Sequence, residues 1–175
     1  MRKAFTLVEL LVVISIMAIL TIVTVSQFRT ARKRANDVAR KGDLNAVAKA
    51  LQLYFADYGV MPDDKVDGVV TGMIVINNKS IEWDDEFKDA STTPYTYMIK
   101  LPFENTIGWP QYCYKTDTAK KKYALFAKLE VSSDKECKDV DGNSIGDYSC
   151  GGVSGYCYAT VSPNTSLDPT NGNFN

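Results

Sequence analysis

The chain has 175 residues and sets 20 Lys and Arg against 21 Asp and Glu, a formal charge of −1. That length suits one modest domain, and near-neutrality gives no bulk attraction to nucleic acid. Histidine is absent, which excludes Ser-His-Asp and Cys-His nucleophile pairs and His-ligated catalytic zinc. Carboxylate chemistry survives this filter, and so does every non-enzymatic role.

A short basic start, Met1-Arg2-Lys3-Ala4, precedes an apolar run from Phe5 to Val25, FTLVELLVVISIMAILTIVTV. Its one charge is Glu9, and it holds no Gly or Pro. As a helix it would span roughly 31 Å, close to the hydrocarbon thickness of a bilayer. It is apolar all round, so it has to be surrounded by lipid or by other apolar helices. A cleaved secretory signal would show a shorter apolar core and a small-x-small site. Ser26-Gln27-Phe28-Arg29 offers none, so 5–25 is read as a membrane-spanning segment.

Helical periodicity continues through 26–58. Between Gln27 and Tyr58 there is no Pro, and Gly42 is the single Gly. Ala35, Val38, Ala39, Gly42, Asn45, Ala48, Leu51, Phe55 and Tyr58 recur at steps of three and four, and Leu44, Val47 and Tyr54 widen that face. Arg32, Lys33, Arg40, Lys41 and Lys49 fall largely off it. Gly59 and Pro62 supply the stop. The predicted helix thus covers 5–58, an apolar half continuous with an amphipathic half.

Beyond it, 59–175 reads as a β-rich head. Val69-Val70, Met73–Ile76, Tyr95–Leu101, Gln111–Lys115, Tyr123–Leu129 and Tyr156–Val161 are short β-favouring runs. Asp117 to Lys122 reads as the loop of a hairpin joining two of them. Tyr123, Leu125, Ala127 and Leu129 share one face, placed against the helix. The fold class is α+β: one long N-terminal helix on a small antiparallel sheet, with a fraying tail from Ser162 to Asn175.

Cys113, Cys137, Cys150 and Cys157 all follow the apolar run. An even count beyond an export signal points to disulfides rather than free buried thiols, and three pairings exist. Tyr112-Cys113-Tyr114 and Tyr156-Cys157-Tyr158 look like matching strand segments. If those strands are close, Cys113–Cys157 is the pair, and Cys137–Cys150 then staples the loop between them; the sequence alone leaves the three pairings open. Within that loop Asp139, Asp141 and Asn143, with Asp147 after them, place oxygens at alternate positions as the first part of an EF-hand loop does. Ser144 stands at the glycine position and Cys150 at that of the bidentate Glu, and Asp-Gly-Asn is also ordinary turn chemistry. A structural Ca²⁺ and a solvated turn are the two readings.

Glu9 needs its own explanation, because a carboxylate at mid-bilayer costs about 2.5–3.5 kcal/mol, less near the edge. It either snorkels from the start of the run or pairs with a cation of another subunit. Arg2-Lys3-Ala4 followed by Phe5-Thr6-Leu7-Val8-Glu9-Leu10 resembles the class III signal of type IV pilins and type II secretion pseudopilins. Looser likeness extends through Asp43-Leu44, Ala50-Leu51, Tyr54 and Asp57-Tyr58-Gly59-Val60-Met61-Pro62. The residue before the cut is Ala4 where Gly is usual, and Ser26 and Ala18 stand where some members carry Pro and Gly.

The resemblance implies removal of leader 1–4 by a prepilin peptidase between Ala4 and Phe5, then N-methylation of Phe5. It implies that Glu9 neutralises a neighbour's α-amine as subunits leave the bilayer. The function implied is a structural subunit of a pilus or secretion pseudopilus, with no catalysis and no cofactor besides the Ca²⁺ reading. Its partners are further copies, an inner-membrane assembly platform and lipid, and the head lies outside the cytoplasm. A minor or competence pilin that binds DNA or a surface is the alternative, with Lys120-Lys121-Lys122 the basic cluster to judge it by. The basic run Arg29, Arg32, Lys33, Arg34, Arg40 and Lys41 either pairs with acidic residues of adjacent heads, such as Asp84, Asp85 and Glu86, or faces lipid headgroups.

Overall fold

The computed structural model describes residues 5–138, 146–168 and 170–175; the side chains of 22–26 and of Val70 are outside that description. Helix α1 runs Leu7–Tyr58, within two residues of the predicted bounds. It ends because Gly59 turns left-handed at φ 68°, its N–H donating to the Phe55 carbonyl at 2.7 Å. The compact units of the chain divide between Asn36 and Asp37.

Among the described residues after Asp37, the sheet content is four small antiparallel sheets rather than one. Strands β1 (Asp63–Val66), β2 (Val69–Ile76) and β3 (Lys79–Ile81) form the first. Asp67 and Gly68, then Asn77 and Asn78, take positive φ and make two-residue turns that match the strand twist. The central sheet orders β10 (Tyr158–Val161), β7 (Tyr123–Ala127) and β6 (Cys113–Thr116). The predicted hairpin is β6–β7, with Thr116 opposite Tyr123 and the Asp117 carboxylate accepting from the N–H groups of Lys121 and Lys122. Strands β4 (Phe87–Lys88) and β5 (Thr96–Met98) pair, as do β8 (Gly146–Cys150) and β9 (Val153–Gly155).

Strand β7 is buried on both faces. Tyr123, Leu125 and Ala127 pack in one core with Leu44, Val47, Leu51 and Tyr54 of α1, the face the alternation assigned to the helix. Ala124 and Phe126 form a second core with Cys113, Tyr148, Cys150 and Tyr156. The C-terminal segment covers that second face, contrary to the expectation of a fraying tail. Leu167 bridges to Phe174, both pack on the second core, and Gly172 lies directly against Phe126 and Tyr148. Polar composition misled because a few apolar anchors suffice to dock a polar segment.

The buried stripe of α1 also differs from the prediction. Val38 is 68% exposed and Ala35, Ala39, Gly42 and Asn45 face solvent, whereas Asp37 and Arg40 are buried. The Arg40 guanidinium pairs with Asp37 at 2.9 Å, with Glu130 at 3.1 Å and with Glu104, and lies 4.5 Å from the Trp109 ring centroid. The Asp37 carboxylate also accepts from the Glu130 and Val131 amides at 2.7 and 2.9 Å. A hydrophobic period cannot register a stripe that begins with an ion cluster.

All four cysteines are disulfide-bonded, but as Cys113–Cys150 and Cys137–Cys157, not as Cys113–Cys157 and Cys137–Cys150. The sheet order gives the reason. Cys113 is on β6 and Cys157 adjoins β10, with β7 between them. Two strand spacings amount to about 9–10 Å, beyond the roughly 7 Å that a disulfide can bridge. In β2, Gly72 lies over the first bridge, where a side-chain carbon would sit 2.5 Å from Cys113 Sγ.

Mass mapping of a non-reduced digest checks this pairing. Peptides linked Cys113–Cys150 and Cys137–Cys157 are expected, and a Cys113–Cys157 peptide contradicts the sheet order. Replacing Arg40 by Met strands buried carboxylates and is expected to cost about 3–5 kcal/mol in urea unfolding. Burial pushes the Glu104 pKa up, but hydrogen bonds from Arg40 and Thr106 more than offset this and leave it below its usual 4.5. The stability this contributes is complete above about pH 4.5 and is lost as pH falls through the lower folded value. Arg40→Met should lose that acid limb; an unchanged acid limb contradicts the assignment.

Candidate functional site

Thr6, Leu7, Val8 and Glu9 start α1 with a capping box. The Glu9 N–H donates to Thr6 Oγ1 at 3.3 Å, while the Glu9 carboxylate accepts from the Thr6 N–H at 2.9 Å and from its hydroxyl at 2.7 Å. Two N-terminal amides that the helix leaves unpaired are thereby satisfied, and the negative charge lies at the positive end of the helix dipole. Thr-x-x-Glu ahead of an apolar run was a legible signal, yet the sequence reading singled out Glu9 and passed over Thr6. The result is an exposed carboxylate held at the very start of the helix by Thr6, next to Phe5, which is 83% exposed.

The surface behind it is apolar on every side. Leu7, Val8, Leu10, Leu11, Ile14, Met17, Ile19 and Leu20 are each more than half exposed, and Val12 and Val13 nearly so. Ser15 and Thr21 turn their hydroxyls inward to the carbonyls of Leu11 and Met17, at 2.8 and 2.7 Å, so even the polar residues present little to a neighbour. Among the described residues no helix is long and apolar enough to cross a membrane. Fully burying a Val, Leu, Ile or Met side chain contributes about 1.5–3 kcal/mol. A surface of this extent therefore calls for an apolar environment.

The other predicted positions fare differently. Ala4 lies outside the described residues, as do Asp139, Asp141 and Asn143 of the Ca²⁺ reading. Asp147 is in β8, and among the described residues no cluster of three or more His, Cys, Asp or Glu is disposed to hold a metal. Lys120 pairs with Asp63 at 2.6 Å, Lys121 donates to the Gly59 carbonyl and lies over the Phe55 ring, and Lys122 donates to the Asn175 carbonyl. All three engage groups of their own chain, and Lys120 alone has a carboxylate partner. Of the predicted acidic patch, Asp84 is paired with Lys100 and Glu86 with Lys88.

A family model described as the prokaryotic N-terminal methylation motif matches residues 1–25, the stretch that contains the capping box and the apolar helix start. The type IV wide pilus major component PilA4 of Thermus thermophilus is 31% identical over 122 residues, spanning 67% of this chain and 89% of that protein. The chain belongs to the type IV pilin family. Members are structural, non-catalytic subunits, and membership implies processing by a prepilin peptidase, a membrane anchor and self-assembly into an extracellular filament. No solved structure matches the chain significantly. For a pilin, Thr6 and Glu9 are the residues to probe first. Thr6→Val removes the cap hydroxyl and is expected to cost about 0.5–2 kcal/mol locally. Amide exchange at residues 8–10 of the detergent-solubilised chain should accelerate accordingly; unchanged exchange contradicts the capping role.

Proposed function

We propose that this pilin is a filament subunit of a type IV pilus or a type II secretion pseudopilus, cut between Ala4 and Phe5 and N-methylated at Phe5. The observation that carries the reading is the all-round apolar surface of α1 with one carboxylate held at its start. Residues 5–25 serve as a membrane segment before assembly. Lipid tails and neighbouring apolar helices solvate such a surface about equally well, so moving from bilayer to bundle changes the apolar contribution little. Glu9 then decides. In lipid it is an expensive charge, whereas beside a second subunit's α-amine it gains a partner.

Register follows from the same pair. Glu9 lies four residues, or about 6 Å of helix rise, beyond Phe5. A neighbour whose terminal amine reaches it is displaced by about one turn along the axis. Repeating that heterologous contact gives an open filament rather than a closed ring. The inner-membrane assembly platform and lipid are the remaining partners on this reading, and no cofactor is required. The occupied lysines of the β6–β7 turn favour this over a DNA-binding role.

Two readouts on cells carrying the assembly machinery test it. Intact-mass analysis of the membrane-extracted protein should show loss of Met1–Ala4 and gain of one methyl group. Glu9→Ala should be cleaved and remain in the membrane, yet filament yield should fall by roughly tenfold, the equivalent of about 1.4 kcal/mol per contact. Normal yield from that variant sinks the pairing role.

A further inference from the structure

At the C-terminal end of α1, a cavity of about 590 Å³ is walled by Leu53, Tyr58, Tyr95 and Tyr97 and holds the carboxylates of Asp57 and Asp89. Two tyrosines fix these acids. Tyr97 donates its hydroxyl to Asp57 at 2.8 Å, and Tyr58 donates to Asp89 at 2.8 Å. Asp89 also accepts from the Ser91 hydroxyl and from the Ser91 and Tyr95 amides. Burial opposes its charge, but these donors more than offset that and hold its pKa below the usual carboxylate value. Ring contacts brace the wall: Tyr95 meets Tyr97 edge-on at 4.9 Å, and Tyr58 stacks on Tyr54 at 4.6 Å.

The walls are nevertheless open to solvent, with Tyr58 46% and Tyr95 58% exposed. Among the described residues no Lys or Arg nitrogen pairs with either carboxylate. Fixed negative charge between aromatic faces is the chemistry that recognises an organic cation. A guanidinium suits it best, because it stacks on a ring while its N–H fork engages a carboxylate.

The chain itself carries such cations. Arg29, Arg32, Lys33 and Arg34 are all exposed, and none joins an ion pair among the described residues. Arg29 and Arg32, or Arg29 and Lys33, lie one turn apart on one helix face, offering two cations to a pocket with two acids. The acidic patch around Asp84 and Glu86 is a poorer match, since Lys100 and Lys88 already neutralise those groups. We propose that the Asp57–Asp89 tyrosine pocket takes the basic Arg29–Arg34 segment of a second copy of this chain. The proposal rests on the filament reading above to bring that copy alongside.

The test uses the full-length, detergent-solubilised protein and a synthetic peptide of residues 27–37, with binding followed by calorimetry. Wild type should bind the peptide, more weakly as salt rises. Binding to Asp57→Asn/Asp89→Asn should be roughly tenfold weaker. An Asp57→Arg protein with an Arg32→Glu peptide should recover affinity, which excludes misfolding as the cause of the loss. Equal binding to wild type and the double variant overturns the proposal, and so does absence of binding to wild type. Binding of free arginine amide as tight as that of the peptide also overturns it, in favour of a small-cation site. Electron microscopy separates this from the parent reading. Filaments without peptide binding overturn the pocket alone, whereas peptide binding in a protein that never forms filaments overturns the filament reading and with it the second copy as source.

Discussion

Strand β7 has to be covered on both faces, and the arrangement of everything after Asp37 follows from that constraint. One face receives Leu44, Val47, Leu51 and Tyr54 of α1 against Tyr123, Leu125 and Ala127. The other receives Tyr148, Tyr156 and the C-terminal segment against Ala124 and Phe126. A single three-stranded sheet this small would be marginal alone. Two cores sharing one strand solve that problem, and the two disulfides hold the long excursions that build the second core. In the chain-entropy view, cross-links across separations of 37 and 20 residues contribute about 3–4 kcal/mol each.

The amphipathic half of α1 is bound to the head by an unusual device. Asp37 and Arg40 are buried where the apolar stripe begins, and Arg40 ties residues 104 and 130 to the helix. Such a cluster is weak evidence for net stability, because desolvation offsets much of its Coulomb energy. Its contribution is positional, since one guanidinium on the helix engages carboxylates at 37, 104 and 130 and so ties two distant loops to one helix face. Among the described residues of its own unit, the apolar half has no such partner. One end of the helix packs into a head, while the described side chains of Leu7–Leu20 form an exposed apolar surface.

The sequence made some of this legible and concealed the rest for identifiable reasons. The helix ends and the β6–β7 hairpin were readable because Gly59, Pro62 and the Asp117–Lys122 loop are strong local signals. The inward face of β7 was readable from its alternation, but its outer face was not, because Phe126 and Ala124 are covered by residues distant in sequence. The disulfide pairing depended on strand order, which matching Tyr-Cys-Tyr segments do not encode. Asp67-Gly68 and Asn77-Asn78 are the turn signals that mark β1 and β3, strands too short and polar to show as apolar runs. At the site, Glu9 stood out as a lone charge. The Asp57–Asp89 pocket could not, since its members come from the helix end, from the loop joining β4 to β5 and from β5 itself, brought together only by folding.

The central claim is that copies of this chain assemble through the apolar half of α1, with the heads outside. A cryo-electron microscopy reconstruction of filaments purified from cells expressing the chain tests it most directly. The account predicts a filament interior packed with the Leu7–Leu20 segments of many copies, each Glu9 beside the terminal amine of a neighbour, and the β-rich heads forming the outer layer. An interior built from heads, with the Leu7–Leu20 segments outside the helical core, would contradict it.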